Sequence, residues 1–198
     1  RCRDDVTMTE PLPPAVSGER FEFDSSAGRL SAYVAGSGPP LLLVHSVNAA
    51  ASAAEVRPLH EHYNASRRVF ALDLPGFGFS ERGDRRYTPR LMTDAVLAMA
   101  REIGSRIGAG PVDALALSLS SEFLARAAAE QPGLFRSLAL VSPTGFSGGR
   151  ERRGAAGSTY VMPWLYRALR GPGWGGAVFR GLTRPGVNAR VAAENDGR

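Results

Sequence analysis

Short apolar runs alternate with segments of helical spacing along most of the chain. A first strand is predicted over Glu19–Ser25, where phenylalanines alternate with charged residues, and a second over Arg29–Ala35 after a turn. Continuous apolar runs, which are typical of strands covered on both faces, follow at Leu41–Val44, Arg68–Leu72, Val112–Leu117 and Leu138–Val141. Helical spacing is found between these runs at Ala53–Tyr63, Pro89–Ile107 and Ser120–Glu130.

Buried strands that alternate with helices predict an α/β fold. Each strand–helix–strand unit makes a right-handed crossover, so we expect a mostly parallel sheet with helices on both faces. The first two strands form a hairpin and should add an antiparallel edge. Ligands of such sheets bind beyond the carboxyl ends of the strands. The loops to examine for chemistry therefore follow Val44, Leu72, Leu117 and Val141.

Composition narrows the classes of function. The 198 residues are 43% apolar and 22% charged, which is typical of one globular domain with its own core. All 24 basic residues are arginine, which excludes a phosphate-binding loop with its lysine and a lysine Schiff base. The single cysteine, Cys2, makes no internal disulfide, and no Cys/His spacing indicates a metal site. A reducing cytoplasm is the expected location.

The net charge of +5 is unevenly distributed, with −1 over residues 1–146 and +6 over residues 147–198. A basic tail can favour nucleic acid or an anionic membrane surface. This tail is not a dense arginine run and carries no aromatic stacking platform, so we expect no nucleic-acid partner. No stretch approaches the roughly 20 apolar residues of a membrane span. We therefore expect no integral membrane segment.

The strongest candidate for chemistry lies where the strand ending at Leu117 runs directly into the next helix. Ser118 has small residues two positions before and after it, Ala116 and Ser120. A serine on a sharp strand-to-helix turn needs such neighbours, because the turn presses their side chains against the backbone. The turn exposes the hydroxyl and places the N–H of Leu119 at a helix N-terminus, where it can stabilise an oxyanion. The alternative is that Ser118 or Ser120 only caps the helix.

Four segments occur in an order that resembles the α/β-hydrolase fold family, in its serine-nucleophile branch. They are Pro40–His45 (PLLLVH), Ala71–Ser80 (ALDLPGFGFS), the turn at Ser118, and Arg136–Pro143 (RSLALVSP). The resemblance covers residues 19–146. It implies that Ser118 is the nucleophile and that the N–H groups of Val47 and Leu119 form the oxyanion hole.

The chain departs from the family pattern at several positions. After the third strand, the family has a His-Gly pair where this chain has His45-Ser46. The side-chain amide of Asn48 can either reach the pocket or cap the loop. His45, Ser46 and Asn48 are therefore candidate pocket residues. His45 is mostly structural in the family, with a role as general base as the alternative. Leu117 stands where the family often has histidine, but the small residues of the turn are kept.

The remaining polar candidates have simpler interpretations. His60 and His62 lie two apart on a predicted helix, so they cannot form the i, i+4 pair of a helical metal site. We interpret both as surface residues and expect neither a metal nor a cofactor. The family places its catalytic acid on a later strand, so Asp73 is interpreted as holding the turn at Pro75–Gly78.

These observations predict three regions: a disordered leader over residues 1–18, a partial hydrolase core over 19–146, and part of a helical cap over 147–198. Within the cap, Met162, Trp164 and Tyr166 either line the pocket or pack the cap on the core. No histidine follows His62, so we expect a chain truncated after the sixth strand, with the triad's acid and histidine outside it.

The predicted function of the intact protein is hydrolysis of an ester, lactone or related acyl bond of a small molecule, through an acyl-enzyme on a serine. A serine at the turn argues against the family branches that use aspartate there. The alternatives are a non-catalytic family member that binds a small molecule, and an interaction protein that uses the basic tail. The 198-residue chain by itself is expected to be inactive.

Overall fold

The computed structural model describes residues 13–108 and 110–144. The predictions for residues 1–12 and for the cap at 147–198, with Met162, Trp164 and Tyr166, lie outside the described residues. The strands are β1 (Glu19–Ser25), β2 (Gly28–Ala35), β3 (Pro40–Val44), β4 (Arg68–Asp73), β5 (Val112–Leu117) and β6 (Phe135–Val141). The helices are α1 (Arg57–Tyr63), α2 (Pro89–Ile107) and α3 (Ser120–Glu130), with short 3₁₀ turns at Ala53–Val56 and Pro132–Leu134.

The six strands form one sheet in the order β1-β2-β4-β3-β5-β6. The pairs β4–β3, β3–β5 and β5–β6 are parallel, whereas β1–β2 and β2–β4 are antiparallel. The prediction of a mostly parallel sheet with an antiparallel hairpin at its edge is therefore confirmed. Strand order reverses around β3, because its neighbours β4 and β5 lead the chain to opposite sides. Such a reversal opens a crevice at the carboxyl ends of the strands.

Two apolar clusters cover the two faces of the sheet. The larger one packs α2 and α3 against β3 to β5, with fully buried residues such as Leu42, Val96 and Leu124. The smaller one packs the 3₁₀ turn at 53–56 against the other face, through Leu43, Val56 and neighbouring residues. No helix in the described ranges is both long and apolar enough to cross a membrane. Helices α2 and α3 each bury an apolar stripe, as layered α/β folds require.

The segment just before β1 belongs to the folded core, which corrects the expected leader. Ala15 and Val16 are buried in the smaller cluster. The N–H of Ala15 donates to the Tyr33 hydroxyl at 3.3 Å, and its carbonyl accepts from Arg57 Nε at 2.8 Å. Residues 15 and 16 are therefore packed, and a disordered leader reaching residue 18 is wrong at that end. Two apolar side chains without a periodic pattern gave no signal of this packing.

An ion-pair cluster ties the strands together at the end of the sheet opposite Ser118. Asp113, near the start of β5, is paired with Arg67 before β4 and with Arg136 on β6. Ser137 Oγ also donates to the Asp113 carboxylate, at 2.6 Å. Hydrogen bonding from Arg136, then from Ser137 and Arg67, lowers the pKa of Asp113 well below its usual range. The carboxylate therefore stays charged and links three strands.

Strand β6 is the terminal strand of the sheet on the side away from the hairpin. Its side chains are exposed from Arg136 onward, including Leu138 at 40%, Leu140 at 36% and Val141 at 42%. An exposed apolar edge presents unpaired backbone N–H and C=O groups to other chains. Within residues 13–108 and 110–144, β6 is therefore an open apolar edge of the sheet.

Candidate active site

Ser118 occupies the turn between β5 and α3 in a conformation that L-residues avoid. Its φ is +52°, one of two positive values among the described non-glycine residues. Such a backbone costs roughly 1–2 kcal/mol for a residue with a Cβ, so the surroundings must hold it. The Ser118 N–H donates to the Val141 carbonyl at 2.9 Å, and the Ser118 carbonyl accepts from Ser121 N at 3.1 Å and Thr144 N at 3.4 Å. The turn is therefore fixed from both sides.

Neither serine of the turn caps the helix, so the capping interpretation is wrong. Leu119 is the N-cap of α3, and no side chain accepts a hydrogen bond from its first turn. The hydroxyl of Ser120 instead donates to the His45 carbonyl at 2.6 Å, and Ser121 Oγ donates to the Ala116 carbonyl at 3.2 Å. Ser118 is half-buried, and Ala116 and Ser120 are fully buried against the backbone. The small side chains at these two positions thus fit the confined space beside the sharp turn.

The Ser120–His45 hydrogen bond brings the loop after β3 next to the turn at Ser118. The two strands that carry these loops are paired, with Val44 opposite Ala116. Val47 and Leu119 are partly buried against the same apolar cluster. In the described part of the chain, neither backbone N–H has a hydrogen-bond acceptor. The structure therefore brings together the loops that carry the two predicted oxyanion donors.

Polar side chains fix the shape of the loop after β3. Ser46 donates to the Glu55 carboxylate twice, from its N–H to Oε2 and from its hydroxyl to Oε1, both at 2.8 Å. Asn48 Nδ2 donates to Ser46 Oγ at 2.8 Å, and Asn48 Oδ1 accepts from Ala50 N at 3.0 Å. The amide of Asn48 is thus engaged within the loop, as the loop-capping interpretation expects, and Ser46 is buried.

His45 is fully buried and bound to the backbone at both ring nitrogens. Nδ1 lies 2.6 Å from the Ser46 carbonyl, and Nε2 accepts from the Leu74 N–H at 3.0 Å. These contacts describe a neutral ring with its proton on Nδ1, and burial lowers the pKa of His45. A ring in this state takes no proton from Ser118. These contacts fit the structural interpretation of His45 and leave neither ring nitrogen free to act as a general base, while its assignment as a candidate pocket residue stays a prediction.

Asp73 holds the turn after β4, as interpreted from the sequence, and also a second loop. Its carboxylate accepts from Phe79 N at 3.1 Å and from Ala53 N at 2.8 Å, and its carbonyl accepts from Ser80 Oγ at 2.5 Å. Burial raises the pKa of Asp73, while the two backbone N–H groups oppose this shift. Gly78 faces the carboxylate so closely that a Cβ there would overlap it. Asp73 is thus a structural anchor.

The prediction of two surface histidines is half wrong. His62 is exposed and packs edge-on to Tyr63, with ring centroids 4.9 Å apart. His60 is fully buried, and neither ring nitrogen has a hydrogen-bond partner among the described residues. Its burial lowers the pKa of the ring. The spacing of two residues correctly separated the two side chains, but it carried no information about which one faces the core.

Two residues near the site were missed by the sequence analysis. Glu55, which fixes Ser46, lies nine positions along the chain, and no motif links them. Ser142, at the end of β6, has a φ of +47° and follows Val141, whose carbonyl accepts from Ser118. Its strain was not detectable, because serine gives no signal for a positive φ as glycine does.

Comparisons with known proteins agree with this geometry. A family model described as the alpha/beta hydrolase fold matches residues 39–171, about two thirds of the sequence. The chain therefore belongs to the α/β-hydrolase fold family. No curated protein matches the chain in sequence.

Three solved structures are similar. E-2-(acetamidomethylene)succinate hydrolase is 25% identical with a TM-score of 0.54, over 61% of this chain and 42% of that one. A membrane phospholipase A, a bacterial virulence factor, is 26% identical with a TM-score of 0.58, over 67% and 42%. An N-formylmaleamic acid deformylase from Pseudomonas putida S16 is 23% identical with a TM-score of 0.59, over 77% and 56%, and shows the fold alone. The chain spans about half the length of these proteins.

Proposed function

We propose that this protein is a hydrolase that cleaves an ester, lactone or related acyl bond through Ser118. The observation that carries the proposal is the strained turn. Ser118 is held at a φ of +52° between a buried strand and a helix, is itself half-buried, and has small residues two positions away on both sides. Strain of this kind persists when function uses it. Similarity to a succinate-derivative hydrolase and a phospholipase supports the acyl class.

In the proposed mechanism, a general base takes the hydroxyl proton of Ser118 as Oγ attacks the acyl carbonyl and forms a tetrahedral oxyanion, and the base later returns that proton to the leaving alcohol. The N–H groups of Leu119 and Val47 donate to that oxygen, and the N-terminus of α3 adds its positive dipole end. Collapse expels the alcohol and leaves an acyl-enzyme, which water then hydrolyses. Ser46 and Asn48 shape the loop behind Val47 and do not contact the substrate. No cofactor enters these steps.

The base that activates Ser118 is not among the chain's three histidines. His45 is bound at both nitrogens, His60 is buried without a partner, and His62 is exposed on α1. The proposal therefore requires a histidine and a carboxylate other than these residues, and it assigns selection of the substrate to residues 147–198. The same observation supports a second candidate, a family member that binds a small molecule without turning it over.

A panel of p-nitrophenyl acetate and butyrate separates the two candidates. The protein expressed from its complete reading frame is assayed beside Ser118→Ala and Ser105→Ala, the latter a matched control on the exposed side of α2. We expect Ser118→Ala to lose about 10³-fold or more in kcat, with residual rate from the oxyanion hole and binding alone. Ser105→Ala should match the parent. Turnover that is unchanged in Ser118→Ala, or absent from the parent, would favour the non-catalytic candidate.

A further inference from the structure

Glu55 lies beside the loop after β3 and takes both hydrogen-bond donors of Ser46. The backbone N–H of Ser46 donates to Oε2 and its hydroxyl to Oε1, each at 2.8 Å. Bonds to a carboxylate are stronger and geometrically tighter than bonds between neutral groups. Two such bonds to a single residue fix both its position and its orientation. Ser46 immediately precedes Val47, which carries one proposed oxyanion donor.

The same contact extends to the far side of Val47. The Ser46 hydroxyl donates its hydrogen bond to Glu55, so its oxygen lone pairs remain available as acceptors. Asn48 Nδ2 donates to this oxygen at 2.8 Å. Asn48 Oδ1 in turn accepts from Ala50 N at 3.0 Å. Val47 is therefore held between two residues that are bonded to each other. Its peptide unit has little freedom to rotate while Glu55 is in place.

Glu55 is itself held by the core. It sits in the 3₁₀ turn at Ala53–Val56, where its N–H donates to the Ser52 carbonyl at 3.0 Å. The first residue of that turn, Ala53, donates its N–H to the buried Asp73 carboxylate at 2.8 Å. A continuous set of hydrogen bonds thus runs from Asp73 through the turn to Ser46. These hydrogen bonds order the loop. Ser46 is not among the described non-glycine residues with a positive φ, so its backbone carries no strain of that kind.

We propose that Glu55 is a positioning residue for acyl transfer, which fixes the Val47 N–H toward the site through Ser46. This inference rests on the proposed function. An oxyanion donor is effective when it is oriented before charge develops, because no reorganisation is then needed during the reaction. Glu55 orders this loop through side-chain hydrogen bonds, whereas a short glycine loop is ordered by its backbone conformation. Glu55 acts on the substrate only through Ser46 and Val47.

The first test uses amide hydrogen exchange by NMR on the 198-residue chain. Glu55→Ala removes both acceptors, and Glu55→Gln keeps the shape but leaves a single acceptor oxygen. Glu61→Ala, an exposed residue on α1, is the matched control for charge. We expect exchange of the Ser46 amide to become about tenfold faster or more in Glu55→Ala, and the Ser46 and Val47 resonances to move, while strand β5 stays protected. Unchanged exchange and resonances at both amides would overturn the inference.

The second test measures binding of butylboronic acid to the protein expressed from its complete reading frame. The acid forms a tetrahedral adduct on a nucleophilic serine and places an oxygen in the oxyanion hole. We expect the dissociation constant to rise about tenfold in Glu55→Ala, smaller than the 10²–10³ effect of deleting a donor outright. Glu61→Ala should bind like the parent. If Ser118→Ala abolishes binding and Glu55→Ala leaves it unchanged, the inference about Glu55 is overturned while the proposed function stands. Binding that is absent, or indifferent to Ser118→Ala, would count against the proposed function, and amide exchange would still decide the role of Glu55.

Discussion

Replacing Gly78 with alanine should destabilise the protein by an amount that depends on Asp73. Gly78 has a φ of +50°, and a Cβ there would overlap the buried Asp73 carboxylate. The positive φ costs roughly 1–2 kcal/mol for an L-residue. The carboxylate is held by the N–H groups of Ala53 and Phe79, and each such bond contributes about 1.5–3 kcal/mol. If the Cβ breaks one of them, Gly78→Ala costs about 2.5–5 kcal/mol in all.

Two control variants separate these contributions. Gly108 ends α2 with a φ of +61° and has nothing within 4 Å of an added Cβ, so Gly108→Ala reports the backbone cost alone. Gly133 also has open space and lacks a positive φ, so Gly133→Ala should change stability little. The difference between Gly78→Ala and Gly108→Ala then isolates the overlap with Asp73, at about 1.5–3 kcal/mol.

The assay is urea unfolding followed by far-ultraviolet circular dichroism, with the slope checked for constancy across variants. A double-mutant cycle adds Asp73→Ala, which removes the carboxylate that the new Cβ would strike. In that background Gly78→Ala should cost only the backbone term, so the two effects should fall short of additivity by about 1.5 kcal/mol or more. The reasoning is refuted if Gly78→Ala matches Gly108→Ala within about 0.5 kcal/mol, a comparison that stands even if Asp73→Ala does not fold.

Three further predictions concern pH, activity and association. Burial lowers the pKa of His60 below the roughly 6.5 of an unfolded chain. The unfolded state therefore binds more protons, and stability is lost as pH falls below that value. His60→Leu should make the urea midpoint depend less on pH between pH 5 and 7. The 198-residue chain should hydrolyse p-nitrophenyl acetate no faster than its Ser118→Ala variant, since none of its histidines bonds Ser118; robust Ser118-dependent turnover would contradict this. Leu140→Lys on the open edge should reduce self-association in size-exclusion chromatography with light scattering, and equal association of both proteins would contradict the role of β6.

The fold could be predicted from the sequence because its signals are local. Apolar runs such as Leu41–Val44 and helical spacing such as that of Pro89–Ile107 identify buried strands and amphipathic helices without knowledge of partners. A helix between two strands forms a crossover connection, which lets the strands run parallel, and the crossover is right-handed. The turn at Ser118 was found in the same way, from small residues at fixed spacing around a serine. Where the local pattern was weak, as at Ala15 and Val16, the prediction was wrong.

The details of the site depend on contacts between distant parts of the chain, and only the tertiary structure decides them. His45 has a strand-end position that suits either a base or a structural role, and its bonds to Ser46 and Leu74 select the structural one. His60 and His62 differ in burial because one faces the sheet. Glu55 reaches Ser46 because the 3₁₀ turn is anchored on Asp73. A hydrogen bond between residues distant in sequence leaves no periodic trace, so the sequence determined the strands and the serine turn, while folding determined which polar groups surround it.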